Sequence, residues 1–152
     1  MTPPFELEPV TEADFEKLLA LRIDVMRASL ERIGRFDPQR ARERFRGSFD
    51  AASTWRIRVD GAFAGCVALK DEGDALRIDH FYLAAPWQQR GLGGAVLEYL
   101  VAKASSTGKP LRVAALVCSD ANRFYERHGF VPVSHSQWDI EYLHRPKAQA
   151  GA

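Results

Sequence analysis

Two cysteines, four histidines and no long apolar run set the first limits on this sequence. Cys66 and Cys118 each sit inside an apolar stretch, which suits free buried thiols in a reducing, cytoplasmic setting rather than a disulfide framework. His80, His128, His135 and His144 have no metal-ligand spacing with one another or with cysteine, so no metal site is expected. No segment approaches the roughly 20 apolar residues that span a bilayer, so no membrane role is expected. The opening residues, Met1-Thr2-Pro3-Pro4-Phe5-Glu6, lack the basic-then-apolar order of a secretory signal. Charge of one sign is also scarce. A net charge of +1 gives no concentrated positive field for nucleic acid as a general partner.

What is present is ordinary for a soluble globular chain: 46% hydrophobic and 27% charged residues over a length that favours one domain. We expect that domain over residues 1–146, with 147–152 a frayed tail because it has no apolar anchor. Phe5–Val10 reads as a strand, and Thr11, with Asp14 three residues on, as a helix N-cap. A helical stripe follows at Phe15, Leu18, Leu19, Met26, Leu30 and Ile33, closed by Gly34. Asp37-Pro38 opens a second helix that Gly47 closes. The period then switches to two at Trp55, Ile57 and Val59, and Asp60-Gly61 signals a hairpin into the apolar run Ala62–Leu69. Ala75–Leu83 is the fourth strand. A helix with an apolar face at Val96, Leu97, Leu100, Val101 and Ala104 follows, then a strand over Leu111–Cys118 and a short helix over Asn122–His128. Val131–His135 and Trp138–Tyr142 are closing strands.

Between the fourth strand and its helix lies Pro86-Trp87-Gln88-Gln89-Arg90-Gly91-Leu92-Gly93-Gly94. Three glycines within four residues leave backbone N–H groups unshielded, and the helix start adds partial positive charge, so the turn suits an anionic phosphate. A P-loop would need Gly-Lys-Ser/Thr, and Gly93-Gly94-Ala95 is not that. A dinucleotide fingerprint would need a small residue where Val96 stands. A connector without ligand is the alternative reading of the turn alone.

Gln88-x-x-Gly91-x-Gly93 resembles the pyrophosphate motif of the GCN5-related N-acetyltransferase (GNAT) family. Asn122-Arg123-Phe124-Tyr125-Glu126-Arg127-His128-Gly129-Phe130 resembles that family's later helix, with its Tyr-Glu-x-x-Gly-Phe ending. The order of elements is similar over nearly the whole chain. The resemblance implies an α/β fold with a mixed, mostly antiparallel sheet, split between strands 4 and 5 and flanked by about four helices. It implies acetyl-coenzyme A as co-substrate, a small-molecule or peptide amine as acceptor, and family members often form homodimers. It further implies pantetheine pairing along Phe81, Tyr82 and Leu83. The pyrophosphate would lie on Gln88, Gln89, Arg90, Gly91, Leu92, Gly93, Gly94 and Ala95, and Asn122 would bond the cofactor's arm. Two positions depart from the family pattern. Cys118 stands where many members have asparagine, and Arg77, which cannot accept a proton, stands where some have a glutamate base.

Acetyl transfer needs a deprotonated amine, a polarised carbonyl and a proton for the leaving thiolate. Tyr125 is the candidate donor, its alternative role being a core aromatic. The backbone N–H of Leu83 is a candidate for polarising the carbonyl. His80, on the fourth strand's face with Tyr82, is the candidate base, the alternative being a histidine hydrogen-bonded within the sheet. Asp79 is the weaker choice. Towards the acceptor, Arg22 interrupts the first helix's apolar stripe beside Met26, so it faces inward and needs either a buried carboxylate or a substrate carboxylate. Residues 22–46 hold eight arginines against four acidic residues, which is either a solvated face or a preference for an anionic acceptor. Two other readings stay open. One is a non-catalytic acyl-coenzyme A sensor, against which Tyr125 argues. The other is transfer of a longer acyl chain, or transfer to a hydroxyl.

Overall fold

The computed structural model of the chain describes residues 4–146; the tail 147–152, expected to be frayed, lies outside the described residues. Its elements are β1 (Glu6–Pro9), α1 (Phe15–Arg32), α2 (Pro38–Ser48), β2 (Thr54–Val59), β3 (Ala62–Asp71) and β4 (Leu76–Leu83), followed by α3 (Leu92–Ser106), β5 (Leu111–Leu116), α4 (Ala121–Arg127), β6 (Val131–His135) and β7 (Asp139–His144). The strands form a seven-stranded sheet in the order β1-β2-β3-β4-β5-β7-β6. The pairs β1–β2, β2–β3, β5–β7 and β6–β7 are antiparallel. The β4–β5 pair is parallel, its ladder made by Leu76↔Leu111, Arg77↔Arg112 and Ile78↔Val113, the first three residues of β4. This is the mixed, mostly antiparallel α/β fold expected from the sequence. No helix among the described residues is long and apolar enough to cross a membrane.

Local chemistry sets most boundaries. The Thr11 N–H donates to Asp14 Oδ2 at 2.8 Å and Thr11 Oγ1 accepts from the Ala13 N–H, a reciprocal cap on the 3₁₀ turn Glu12–Asp14 that leads into α1. Asp37 caps α2 by accepting from the Gln39 N–H at 3.0 Å, with Pro38 at the first helical position. Asp60 and Gly61 both take positive φ, 51° and 78°, as a two-residue hairpin with right-handed strand twist requires. Gly47 does not close α2. It stays helical, the helix runs on to Ser48, and the Phe49 N–H bonds the Phe45 carbonyl at 2.7 Å. A glycine ends a helix only where the chain turns left-handed, as Gly34 does at φ 68°. β5 stops at Leu116 rather than Cys118, and β7 extends past Tyr142 to His144.

The chain divides into two compact units, interleaved in sequence. The first comprises the described residues through Leu69 together with Asp79–Gly93. Its core holds Val10, Phe15, Leu18, Leu19, Leu21, Phe45 and Cys66. The rings of Phe15, Phe45 and Phe49 lie 5.4 to 5.6 Å apart, so α1 and α2 are clamped by aromatic contact. The second comprises Lys70–Ile78 and the described residues from Gly94 onward. There Tyr125, Phe130 and Tyr142 pack together, with ring centroids 5.5 and 6.0 Å from Tyr125. Arg77 sits between Glu141, at 2.5 Å, and Glu72, at 3.0 Å. The position where some relatives have a base is therefore one arm of an ion-pair network.

Candidate active site

In the first unit, β4 and the two N-terminal helices bring together residues that sequence reasoning had weighed separately. His80 is buried, with 8% of its surface exposed. Its Nδ1 lies 2.9 Å from the Tyr82 hydroxyl and its Nε2 lies 2.9 Å from Ser48 Oγ at the end of α2. The edge of the Phe45 ring closes over it, the centroids 5.0 Å apart. Asp79 Oδ2 is 3.7 Å from the same Nε2. The Tyr82 hydroxyl also meets the Arg22 guanidinium from α1. Burial pushes the Tyr82 phenol up to about 12, and the neighbouring Arg22 charge opposes that rise without reversing it. Arg22 does face inward as its place in the stripe implies, but its neighbour is a phenol, and its buried Nε has no hydrogen-bond partner. Met26, one turn further along α1, is half-buried.

Ser48 was not legible as part of this cluster, because the sequence reading ended α2 one residue earlier. The signal was there: Ala41, Phe45 and Ser48 follow helical spacing, so the face buried by the first two aims the third the same way.

The backbone of β4 continues from this cluster through Phe81, Tyr82 and Leu83, all half-buried. Gly65 of β3 packs so closely on it that a Cβ there would collide with the Tyr82 carbonyl oxygen and stand 3.0 Å from the Leu83 Cα. After Leu83 the Ala84 N–H bonds the Ala64 carbonyl at 2.8 Å, and Ala85–Trp87 make a 3₁₀ turn. Gln88 Nε2 then donates back to the Leu83 carbonyl at 2.9 Å, which ties the start of the glycine turn to the end of the strand. Gln89 takes φ 60° and Gly91 takes φ 82°, two left-handed residues immediately before α3. A left-handed residue other than glycine is uncommon and often marks a functional turn. Turns of this kind can direct successive N–H groups towards an anion, and this one leads directly into a 15-residue helix. Gln89, Arg90 and Gly91 are exposed; Gly93, Gly94 and Ala95 are half-buried; Leu92 is fully buried and anchors the helix start. Arg90 rests over the Trp87 ring, 5.6 Å from its centroid.

Two candidate residues belong to the second unit. Asn122 Nδ2 donates to the Leu116 and Ser119 carbonyls at 2.8 and 2.9 Å, and its Oδ1 accepts from the Tyr142 hydroxyl at 2.8 Å. Its amide thus joins the end of β5 to α4. Burial raises the Tyr142 phenol, and Glu126, 3.1 Å from that hydroxyl, raises it further. Tyr125 is buried between Phe124 and Phe130. In the same unit, a Cβ on Gly94 would stand 3.1 Å from the His128 ring, so the first turn of α3 passes closely beside the end of α4.

The family model for the acetyltransferase (GNAT) domain matches residues 25–143. The chain belongs to the GNAT acetyltransferase family. Solved GNAT structures share its fold at low identity. PaiA N-acetyltransferase from Thermoplasma acidophilum, in complex with coenzyme A, is 13% identical with a TM-score of 0.74, over 93% of this chain and 99% of that one. The ribosomal-protein-S18-alanine N-acetyltransferase from Escherichia coli is 14% identical with a TM-score of 0.70, over 98% and 99%. N-acetylglutamate synthase from Neisseria gonorrhoeae, complexed with coenzyme A and N-acetyl-glutamate, is 17% identical with a TM-score of 0.67, over 97% of this GNAT chain and 36% of that longer one. No curated protein matches at the sequence level. Among the described residues of this GNAT domain, no group of three or more histidine, cysteine or acidic side chains is placed to hold a metal ion.

Proposed function

We propose that this GNAT domain transfers the acetyl group of acetyl-coenzyme A to a primary amine on a small molecule or peptide, by direct attack of the amine. The observation that carries this reading is the turn with left-handed Gln89 and Gly91 leading into α3. Its donor set of unshielded N–H groups fits a pyrophosphate. The co-substrate supplies a thioester whose acetyl group is open to nucleophilic attack. Residues Gln88 to Ala95 hold the pyrophosphate, and the backbone of Phe81, Tyr82 and Leu83 pairs with the pantetheine arm. The Leu83 N–H polarises the reacting carbonyl. Tyr125 gives its hydroxyl proton to the departing thiolate, a role suited to a phenol that stays protonated at neutral pH. Asn122, whose amide joins the end of β5 to α4, bonds the cofactor's arm through the second lone pair of its Oδ1.

Arg22 and Met26 form the acceptor end. The buried, unpartnered Nε of Arg22 is the support for an acceptor that carries a carboxylate.

The test is calorimetry with acetyl-coenzyme A on the parent and on Gly93→Asp, which sets a carboxylate against the expected anion. Binding by the parent and its loss in a variant with an unchanged circular dichroism spectrum supports the reading. Equal binding by both rejects the assigned turn. A screen of amines for coenzyme A release then separates a catalyst from a sensor that only binds.

A further inference from the structure

The acetylation proposed above requires a proton to leave the attacking amine, and His80 cannot take it directly because both ring nitrogens already face protein groups. One of those groups is the Ser48 hydroxyl, which turns back onto its own helix. It has a single proton and donates it to the Arg44 carbonyl at 3.1 Å, with the Phe45 carbonyl at 3.4 Å. With that proton on its own helix the oxygen accepts, the arrangement in which His80 Nε2 carries the ring proton and Nδ1 is bare. The other group is the Tyr82 hydroxyl, which in that tautomer donates to Nδ1 at 2.9 Å and accepts from Arg22. The directions agree along the whole chain, from Arg22 through Tyr82 and His80 to Ser48 and the Arg44 carbonyl. At its other end the chain reaches the Tyr82 hydroxyl, beside the arginine assigned to the acceptor.

We propose that Tyr82 and His80 form a proton relay, oriented by Ser48, in which the Tyr82 hydroxyl takes the proton of the attacking amine while passing its own to His80 Nδ1. One N–H bond of the amine breaks as an O–H bond forms on Tyr82. The former Tyr82 O–H bond breaks as an N–H bond forms on Nδ1, and His80 becomes an imidazolium whose Nε2–H still donates to Ser48. The phenol is neutral before and after, which its buried position favours. The groups facing the pair are Asp79 on the same strand, which favours the imidazolium, Arg22 on α1, which opposes it, Cys66 on β3, and the Phe45 ring on α2. Tyr82 would be the catalytic residue, His80 the proton store and Ser48 a positioning residue.

Two measurements test this on the full chain. Two-bond ¹⁵N–¹H correlation of the imidazoles, with His80 assigned by loss of its signals in His80→Gln, reports the tautomer without any substrate. The relay predicts a proton on Nε2 and none on Nδ1; the opposite tautomer overturns it. Kinetics then use the best amine from the screen. Tyr82→Phe and His80→Gln should each lower kcat by about 10² to 10⁴, with acetyl-coenzyme A affinity kept, and the double variant should fall no further than the worse single one. Multiplicative losses would show two independent roles and reject the relay. Ser48→Ala should shift the acidic limb of the pH profile, and Ser48→Thr should restore it. A parent that acetylates no amine would defeat the acetylation reading itself, whereas an active parent with multiplicative variants defeats only the relay.

Discussion

Arg22 has one more donor than the fold uses, and a buried guanidinium nitrogen without a partner is costly to keep. If that donor holds the acceptor's carboxylate, Arg22→Met should raise the acceptor's Michaelis constant by about 10- to 100-fold, the loss of one charge-assisted hydrogen bond. Acetyl-coenzyme A affinity and melting temperature should stay near the parent's, and steady-state kinetics with thermal melts check both. A lowered melting point with unchanged acceptor kinetics would assign Arg22 to the fold through Tyr82 instead. Tyr125→Phe keeps the ring among Phe124 and Phe130 and removes one proton. It should cut turnover by about 10² to 10⁴ with cofactor affinity unchanged. Parental turnover under conditions where chemistry limits the rate would end the donor role. At this scale the sequence was informative about residue type and less so about partners. The inward position of Arg22 followed from its place in a helical stripe. That it meets a phenol did not, because the pairing joins residues 60 apart and depends on how α1 lies on β4. Asn122 could be found, but the Tyr142 hydroxyl that occupies its oxygen comes from the last strand and leaves no local trace.

Among the elements, the close approach of β3 to β4 offers the sharpest contrast between glycines. Gly65→Ala drives a methyl into the Tyr82 carbonyl and towards Leu83, backbone that cannot step aside cheaply. We expect a loss of about 1–3 kcal/mol in stability, together with weaker acetyl-coenzyme A binding, because the displaced segment is the one proposed to pair with pantetheine. Gly47→Ala in α2 meets nothing within 4 Å and should raise the melting temperature, by the roughly 0.5–1 kcal/mol that separates glycine from alanine in a helix. Differential scanning calorimetry on the two variants decides the sign of each. Element type and order were readable because period, caps and turn residues agreed: Thr11 and Asp14, Asp37-Pro38 and Asp60-Gly61 each announced their geometry. Ends were harder. Gly47 looked like a stop because glycine is common at helix ends, yet only a left-handed φ makes it one, and that depends on where the following chain must go.

At the scale of the whole molecule, two groups that strongly resist ionisation, Cys66 and Tyr82, belong to the first unit. Burial pushes the Cys66 thiol from 9.0 up to about 12, against a small opposing effect of the Tyr82 backbone, and pushes the Tyr82 phenol from 10.0 up to about 12. Both folded values lie above the unfolded ones, so the neutral forms favour folding. That contribution is full below pH 9, and is lost as the pH rises through the unfolded values towards about 12. The melting temperature should therefore fall steeply on the alkaline side, and Cys66→Ala should make that fall shallower whatever it does to stability at neutral pH. Melts across an alkaline pH series test this; parallel curves would mean that Cys66 is not what titrates. The interleaving of the two units also has a consequence for synthesis on the ribosome. Once Gly93 has been made, every residue of the first unit exists, and Lys70–Ile78 has been made with it. That segment's partners in β5, however, begin only at Leu111. For those residues of synthesis, a nascent strand edge waits unpaired, the state in which chains most readily stick to one another. Its sequence carries Asp71, Glu72, Asp74 and Arg77, charges that discourage such adhesion during the wait and afterwards become ion pairs with Lys109, Arg112 and Glu141.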